Sequence, residues 1–158
     1  MMPVTIFIHG LESSNQGTKS KFFRKRFPDM IIPTFTGDLW HRMEKLKIVL
    51  SGKSDIRLVG SSFGGLMASL FAMENESSVK KMVLLAPAIN LEEFSPHWNK
   101  NISIPVRIYH GRADQVIPLV EVEAIARKIF TNLSFHVVDD DHFLHKTFKD
   151  IEWNGLLD

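Results

Sequence analysis

The stretch Leu58–Gly65, LVGSSFGG, places Ser62 between Gly60 and Gly64 directly after an apolar, β-branched run. Gly60-Ser61-Ser62-Phe63-Gly64 fits G-x-S-x-G, a pattern that holds a serine hydroxyl out as a nucleophile where a strand precedes it and a helix follows. Glycines two residues either side let strand and helix close on each other while the serine takes a strained backbone. GKSDI, beginning at Gly52, fails the pattern because Ile56 stands where the second glycine should be. The plain alternative for Ser62 is a tight turn with an incidental serine.

A serine hydroxyl attacks only when a base takes its proton and a third group orients that base. The motif calls for the order serine, acid, histidine, with the last two on loops after later strands. IYHGRADQVIP supplies Asp114 and FHVVDDDHFLH supplies His142, both in that order. Asp114 also suits a plain turn, since Gly-Arg-Ala-Asp is good turn chemistry. Asp139, Asp140 and Asp141 are rival acids, but they adjoin His142 and are better read as shaping its loop. His145, about one helical turn beyond His142, is the rival base. His142 and His145 among acidic neighbours could also hint at a metal site, yet no third ligand stands at convincing spacing. No metal is therefore expected.

These residues need a scaffold that alternates strands and helices. Strands are predicted at Val4–Ile8, Met30–Ile32, Ile56–Val59, Met82–Leu85, Val106–Tyr109 and Leu133–Val138. Helices are predicted at Lys19–Phe27, behind a capping Asp38 through Leu50, and at Phe63–Met73, Leu119–Phe130 and Phe143–Ile151. Six strands separated by helices predict an α/β fold, a three-layer α/β/α sandwich around a parallel sheet. The least patterned stretch, 86–105, reads as an excursion from that sheet.

The chain has 158 residues, 44% of them hydrophobic and 23% charged, with no cysteine. That length predicts one domain over residues 1–158. Thiolate catalysis, disulfides and cysteine-bound zinc are excluded. A formal charge of +1 gives no reason to expect nucleic acid or an anionic membrane as partner. MMPVTIFIHG reads as a buried strand and not a leader, and no apolar stretch approaches bilayer-spanning length. A cytoplasmic setting is expected.

Together these motifs resemble the α/β-hydrolase superfamily over nearly the whole chain, from Val4 to about Ile151. HGRADQVIP is similar to that family's acid loop, with Ile117 in place of the commoner valine. DDDHF is similar to its histidine loop, with Asp140 where glycine is more usual. FIHGLESS is similar to its oxyanion loop, which implies the backbone N–H groups of Leu11 and Phe63 as oxyanion donors. HGLESS, GTKS and VGSSFGG together most resemble small bacterial YqiA-like esterases. The resemblance implies a core that lacks the family's first two strands and a large cap, with its six strands in the order 2-1-3-4-5-6.

The function expected is that of a serine hydrolase, a carboxylesterase that cleaves an ester or thioester through an acyl-enzyme. Ser62 would be the nucleophile, His142 the base and Asp114 the orienting acid, with no cofactor and a small acyl compound as substrate. Two alternatives stand: a binding protein that keeps the fold without activity, and an amidase or peptidase with the same residues. His9 and His110 are expected to be structural, and Lys19 and Lys21 to be a solvated helix start, with a positioning role for the lysines left open. Trp40, Phe94, His97 and Trp98 are candidates for an acyl pocket, but such aromatics more often belong to the core. The short 86–105 segment predicts an open site that suits small or accessible acyl groups. Nothing in the sequence fixes the substrate-binding residues or the oligomeric state.

Overall fold

A computed structural model describes residues 3–158. Its centre is a parallel sheet of β1 (Val4–Ile8), β2 (Ile56–Ser61), β3 (Val79–Leu85), β4 (Val106–Gly111) and β5 (Leu133–Val138), hydrogen-bonded in that order. Five strands form it, not the six expected. The segment predicted as a strand at Met30–Ile32 touches β1 at a single parallel bridge between Ile6 and Ile31. Ile31 N–H donates to Thr5 O at 2.9 Å and Phe7 N–H to Ile31 O at 3.0 Å. Pro28 and Pro33 bracket this segment. A proline has no N–H to give a ladder, so the pairing stops at Ile31. Its place beside β1 is the one the order 2-1-3-4-5-6 assigns to the second strand.

Side chains alternate between the two faces of the sheet. Ile6, Ile8, Leu58 and Leu84 join one buried cluster with residues of α2 (Leu39–Val49), α3 (Phe63–Glu74) and α4 (Leu119–Ile129). Phe7, Val59, Val83 and Leu85 join another with Phe23 of α1 (Thr18–Arg26) and Trp153 of α5 (Trp153–Leu156). Phe23 meets Phe7 at a tilt and Trp153 edge-on, each at 4.8 Å between ring centres. Burial on both faces explains why β2 and the second half of β3 read as nearly unbroken apolar runs.

Three helices follow closely from their sequences. Asp38 caps α2 by accepting from His41 N–H at 3.0 Å, as Asp commonly does at a helix start. α4 buries Val122, Ala126 and Ile129 along one stripe, the helical spacing of an amphipathic segment. α3 is buried from Phe63 through Ala72 without a break, because its small residues admit neighbours on every side. No helix is long and apolar enough to cross a membrane among the described residues.

The helix predicted at Phe143–Ile151 does not form. The chain makes successive turns, then a 3-10 turn at Phe148–Asp150, and α5 comes only after it. Two aspartates bind the backbone of this segment, and Asp140 takes the Thr147 N–H, the first donor that a helix begun at Phe143 would use internally. Asp140 accepts from Lys146 N–H and Thr147 N–H at 2.9 and 2.7 Å, and Asp141 from Phe143 N–H at 2.9 Å. Side-chain acceptors of this kind compete directly with helical hydrogen bonds.

Candidate active site

The parallel register brings the C-terminal ends of β1, β2 and β3 side by side, pairing Ile8 with Gly60 and Ser61 with Leu85. Ser62 follows β2 at once, in a backbone conformation of φ 56° and ψ −116°. That region is costly for a residue with a side chain and needs surrounding support. Support comes from the end of β3 and the turn after it: Ser62 N–H donates to Leu85 O at 2.9 Å, and Ser62 O accepts from Ala88 N–H at 3.0 Å. The flanking glycines permit the turn. A Cβ on Gly60 would stand 2.5 Å from Gly64 O, and one on Gly64 would run into the backbone carbonyls of Ile8 and His9.

Asp114 lies three residues beyond β4 and His142 four beyond β5. The structure brings both to Ser62. Ser62 Oγ is 3.0 Å from His142 Nε2, and His142 Nδ1 is 2.8 Å from Asp114 Oδ2. A carboxylate only accepts, so Nδ1 carries the imidazole proton and Nε2 is left to accept from the serine hydroxyl. The Asp114 side chain is fully buried and that of His142 nearly so. Asp114 Oδ1 accepts from Val116 N–H and Ile117 N–H at 2.9 and 2.8 Å, which fixes the plane of the carboxylate.

The rival residues stand elsewhere. His145 is exposed and its Nδ1 is 2.6 Å from Asp141 Oδ2. Arg112 pairs with Asp139 at the surface, at 2.7 Å. Asp140 points inward and also accepts from Asp141 N–H at 2.8 Å. Burial works against its negative charge, but the hydrogen bonds from Thr147, Asp141 and Lys146 outweigh it and hold the carboxyl below its ordinary pKa. The residue that departs from the expected glycine is thus an anchor for the loop that carries His142.

Two buried histidines frame the site. His9 Nδ1–H donates to Gly10 O at 2.7 Å, and Nε2 accepts from Phe35 N–H at 2.9 Å. It holds the 9–11 loop, as expected of a structural residue. A Cβ placed on Gly10 would stand 3.4 Å from Ser62 Cβ, so this loop lies against the serine. Leu11 N–H and Phe63 N–H donate to no other group among the described residues. His110 Nε2–H donates to Ile117 O at 2.9 Å and stands 3.2 Å from Asp114 Oδ2, a proximity that its position in the sequence did not reveal. Burial pushes the pKa of both histidines down.

Lys19 is tied down more firmly than a solvated helix start would be. Its Nζ donates to Phe143 O at 2.8 Å, which clips α1 to the residue after His142. Phe94 and Trp98 belong to the core packing. Phe94 is fully buried in the first cluster, and Trp98 packs on that cluster with Nε1–H donating to Ile89 O at 3.1 Å. His97 stacks on Phe94, and Trp40 lies exposed beside Leu39, Met43 and Leu70 in a shallow groove. The 86–105 segment is folded down onto the core.

A family model described as alpha/beta hydrolase fold matches residues 36–103. No curated protein gives a significant match. Several solved structures do. Alpha/beta hydrolase domain-containing protein 10 from mouse superposes with a TM-score of 0.78 at 19% identity, over 99% of this chain and 87% of that one. An alpha-beta serine hydrolase homologue from Coxiella burnetii gives 0.74 at 23%, over 98% and 83%. Est1E from Butyrivibrio proteoclasticus, with ferulic acid bound, gives 0.77 at 16%, over 95% and 85%. Its parallel sheet, its strained serine turn after β2 and these likenesses give the chain an α/β-hydrolase fold.

Proposed function

We propose that this protein is a serine hydrolase that cleaves carboxylic esters, or thioesters by the same chemistry. The observation that carries this reading is the hydrogen-bonded chain from Ser62 Oγ through the His142 ring to Asp114. Ser62 attacks the acyl carbon while His142 Nε2 takes its proton, and Asp114 holds the imidazole in the required tautomer and stabilises its charged form. Leu11 N–H and Phe63 N–H take the negative charge that develops on the acyl oxygen; one such donor is worth about 3–4 kcal/mol. His142 returns the proton to the leaving alcohol or thiol. A water that gives its proton to His142 then releases the acid from Ser62.

The substrates proposed are small or accessible acyl compounds. The segment that could cover the site is folded onto the core through Phe94 and Ile89, both fully buried. Acetate and butyrate esters should be turned over at least as well as long-chain ones. A strong preference for palmitate esters would count against an open site.

The deciding experiment is intact-mass labelling with a fluorophosphonate, followed by peptide mapping, on wild type and His142→Ala. A stoichiometric adduct on Ser62 that depends on His142 is expected. Well-folded wild type that takes no label would favour a binding protein.

A further inference from the structure

One buried cation beside the serine turn has no part in the chemistry above. Arg42, on the first turn of α2, is only 5% exposed. Its Nε–H donates to Gly37 O at 2.8 Å, and its guanidinium carbon lies 5.5 Å from the centre of the Phe63 ring. Nη1 is buried without a hydrogen-bond partner, and no carboxylate pairs with Arg42 among the described residues. Asp38, one turn before it on the chain, is taken up by His41 N–H and Nδ1 at 3.0 and 2.8 Å. Burial lowers the pKa of Arg42, yet an arginine keeps its proton at neutral pH.

A buried charge without a counter-ion is unfavourable in itself, and replacing it by an apolar side chain often stabilises a fold. Arg42 stands where such a charge has a use. On one side it lies over Phe63, whose backbone N–H follows Ser62. On the other it bears on His9: burial is the largest cause of that ring's lowered pKa, and the charges of Arg42 and Lys45 add to it. His9 precedes Gly10 and Leu11. Arg42 therefore lies against Phe63, its charge reaches His9 two residues before Leu11, and no carboxylate is paired with it among the described residues.

We propose that Arg42 is a positioning residue for the reaction, and that its unneutralised charge stabilises the negative charge that develops on the acyl oxygen between Leu11 N–H and Phe63 N–H. The cation–π contact keeps the guanidinium against Phe63, and low-dielectric surroundings extend its reach. Because the oxygen is charged only in the transition state, the effect falls on kcat and leaves KM alone. This inference rests on the Ser62 acyl-transfer reading.

The test compares wild type, Arg42→Lys and Arg42→Gln on p-nitrophenyl acetate and on an ester that carries a free carboxylate, with a melting temperature for each variant. Glutamine keeps a donor for Gly37 O and loses the charge, whereas lysine keeps the charge. The expected result is a fall in kcat of about tenfold for Arg42→Gln on both esters, with KM nearly unchanged and Arg42→Lys within about threefold of wild type. Should Arg42→Gln not fold, Arg42→Met carries the same comparison. An unchanged kcat in the neutral variant overturns the inference, as does an equal loss in the lysine and glutamine variants. A loss confined to KM for the carboxylate ester also overturns it and makes Arg42 a substrate-anion site. Wild type that neither hydrolyses ester nor takes the fluorophosphonate overturns the Ser62 reading itself, which separates the two failures.

Discussion

His110 Nε2 stands 3.2 Å from Asp114 Oδ2, the same oxygen that takes the His142 Nδ1–H bond at 2.8 Å. With Oδ1 held by Val116 N–H and Ile117 N–H, the Asp114 carboxylate meets donors on both of its oxygens. An asparagine there would have to set its NH2 either against those two backbone N–H groups or against the imidazoles. With Oδ1 kept as acceptor, the NH2 faces His142 and turns it to the tautomer that cannot accept the serine proton. Asp114→Asn should therefore cost about 10⁴-fold in kcat, with little change in far-UV circular dichroism. A loss below about tenfold would remove Asp114 from the proposed role.

Ser62→Ala should abolish turnover, a fall of about 10⁵–10⁶-fold. The variant removes the hydroxyl and keeps a side chain in the strained turn, so the protein should still fold. Steady-state kinetics and a melting curve on the same preparation check both halves. Residual activity of a few per cent that is not contamination would show a different nucleophile.

His9 and His110 give stability a pH dependence of known sign. Both have pKa values lowered from 6.5, by burial first; Ile117 and Asp114 partly offset this for His110, and His142 adds to it. The unfolded chain therefore takes protons more readily than the fold does. Their contribution is complete above the unfolded value of about 6.5 and drains away as the pH falls through the lower folded values. Calorimetry from pH 8 to 5 should show a melting temperature that is level at the top and declines below about 6.5. His110→Gln should show a shallower decline. An identical slope in that variant would show that His110 carries none of the effect.

Gly64→Ala tests the turn from the backbone side. Its new methyl would be forced against the carbonyls of Ile8 and His9, so β1 and α3 would have to part. The expected cost is about 3 kcal/mol in chemical denaturation, at the upper end for overpacking, with kcat reduced because Ser62 moves with the helix start. A neutral substitution would mean that strand and helix can separate without loss.

Much of this site is legible in the sequence. The spacing of Gly60, Ser62 and Gly64 marks a strand-to-helix turn because few other backbones need two glycines there. Asp114 and His142 are placed by their distance from apolar strand ends. Asp38 announces the start of α2. Other features depend on what lies across space, and a linear pattern does not carry that. The spacing at 143–151 reads as a helix, but the Asp140 carboxylate takes the Thr147 N–H that it would have used. Met30–Ile32 reads as a strand, and the prolines on either side confine its pairing to Ile31. Arg42 looks like any polar residue of an amphipathic helix; its burial without a counter-ion appears only once Phe63 is packed against it.

The Ile31 bridge also bears on how this protein behaves when crowded. The outer strand of a sheet is an open template onto which another molecule can add a strand of its own. At β1 that template is occupied: Ile31 takes the Thr5 carbonyl and the Phe7 N–H, and the prolines at 28 and 33 offer no N–H for a further ladder. The opposite border, β5, carries no such cover among the described residues. Any fibre-like association of these molecules should therefore grow from the Leu133–Val138 border, and a lysine or proline introduced there, at a site that makes no ladder bond to β4, would be the change that suppresses it.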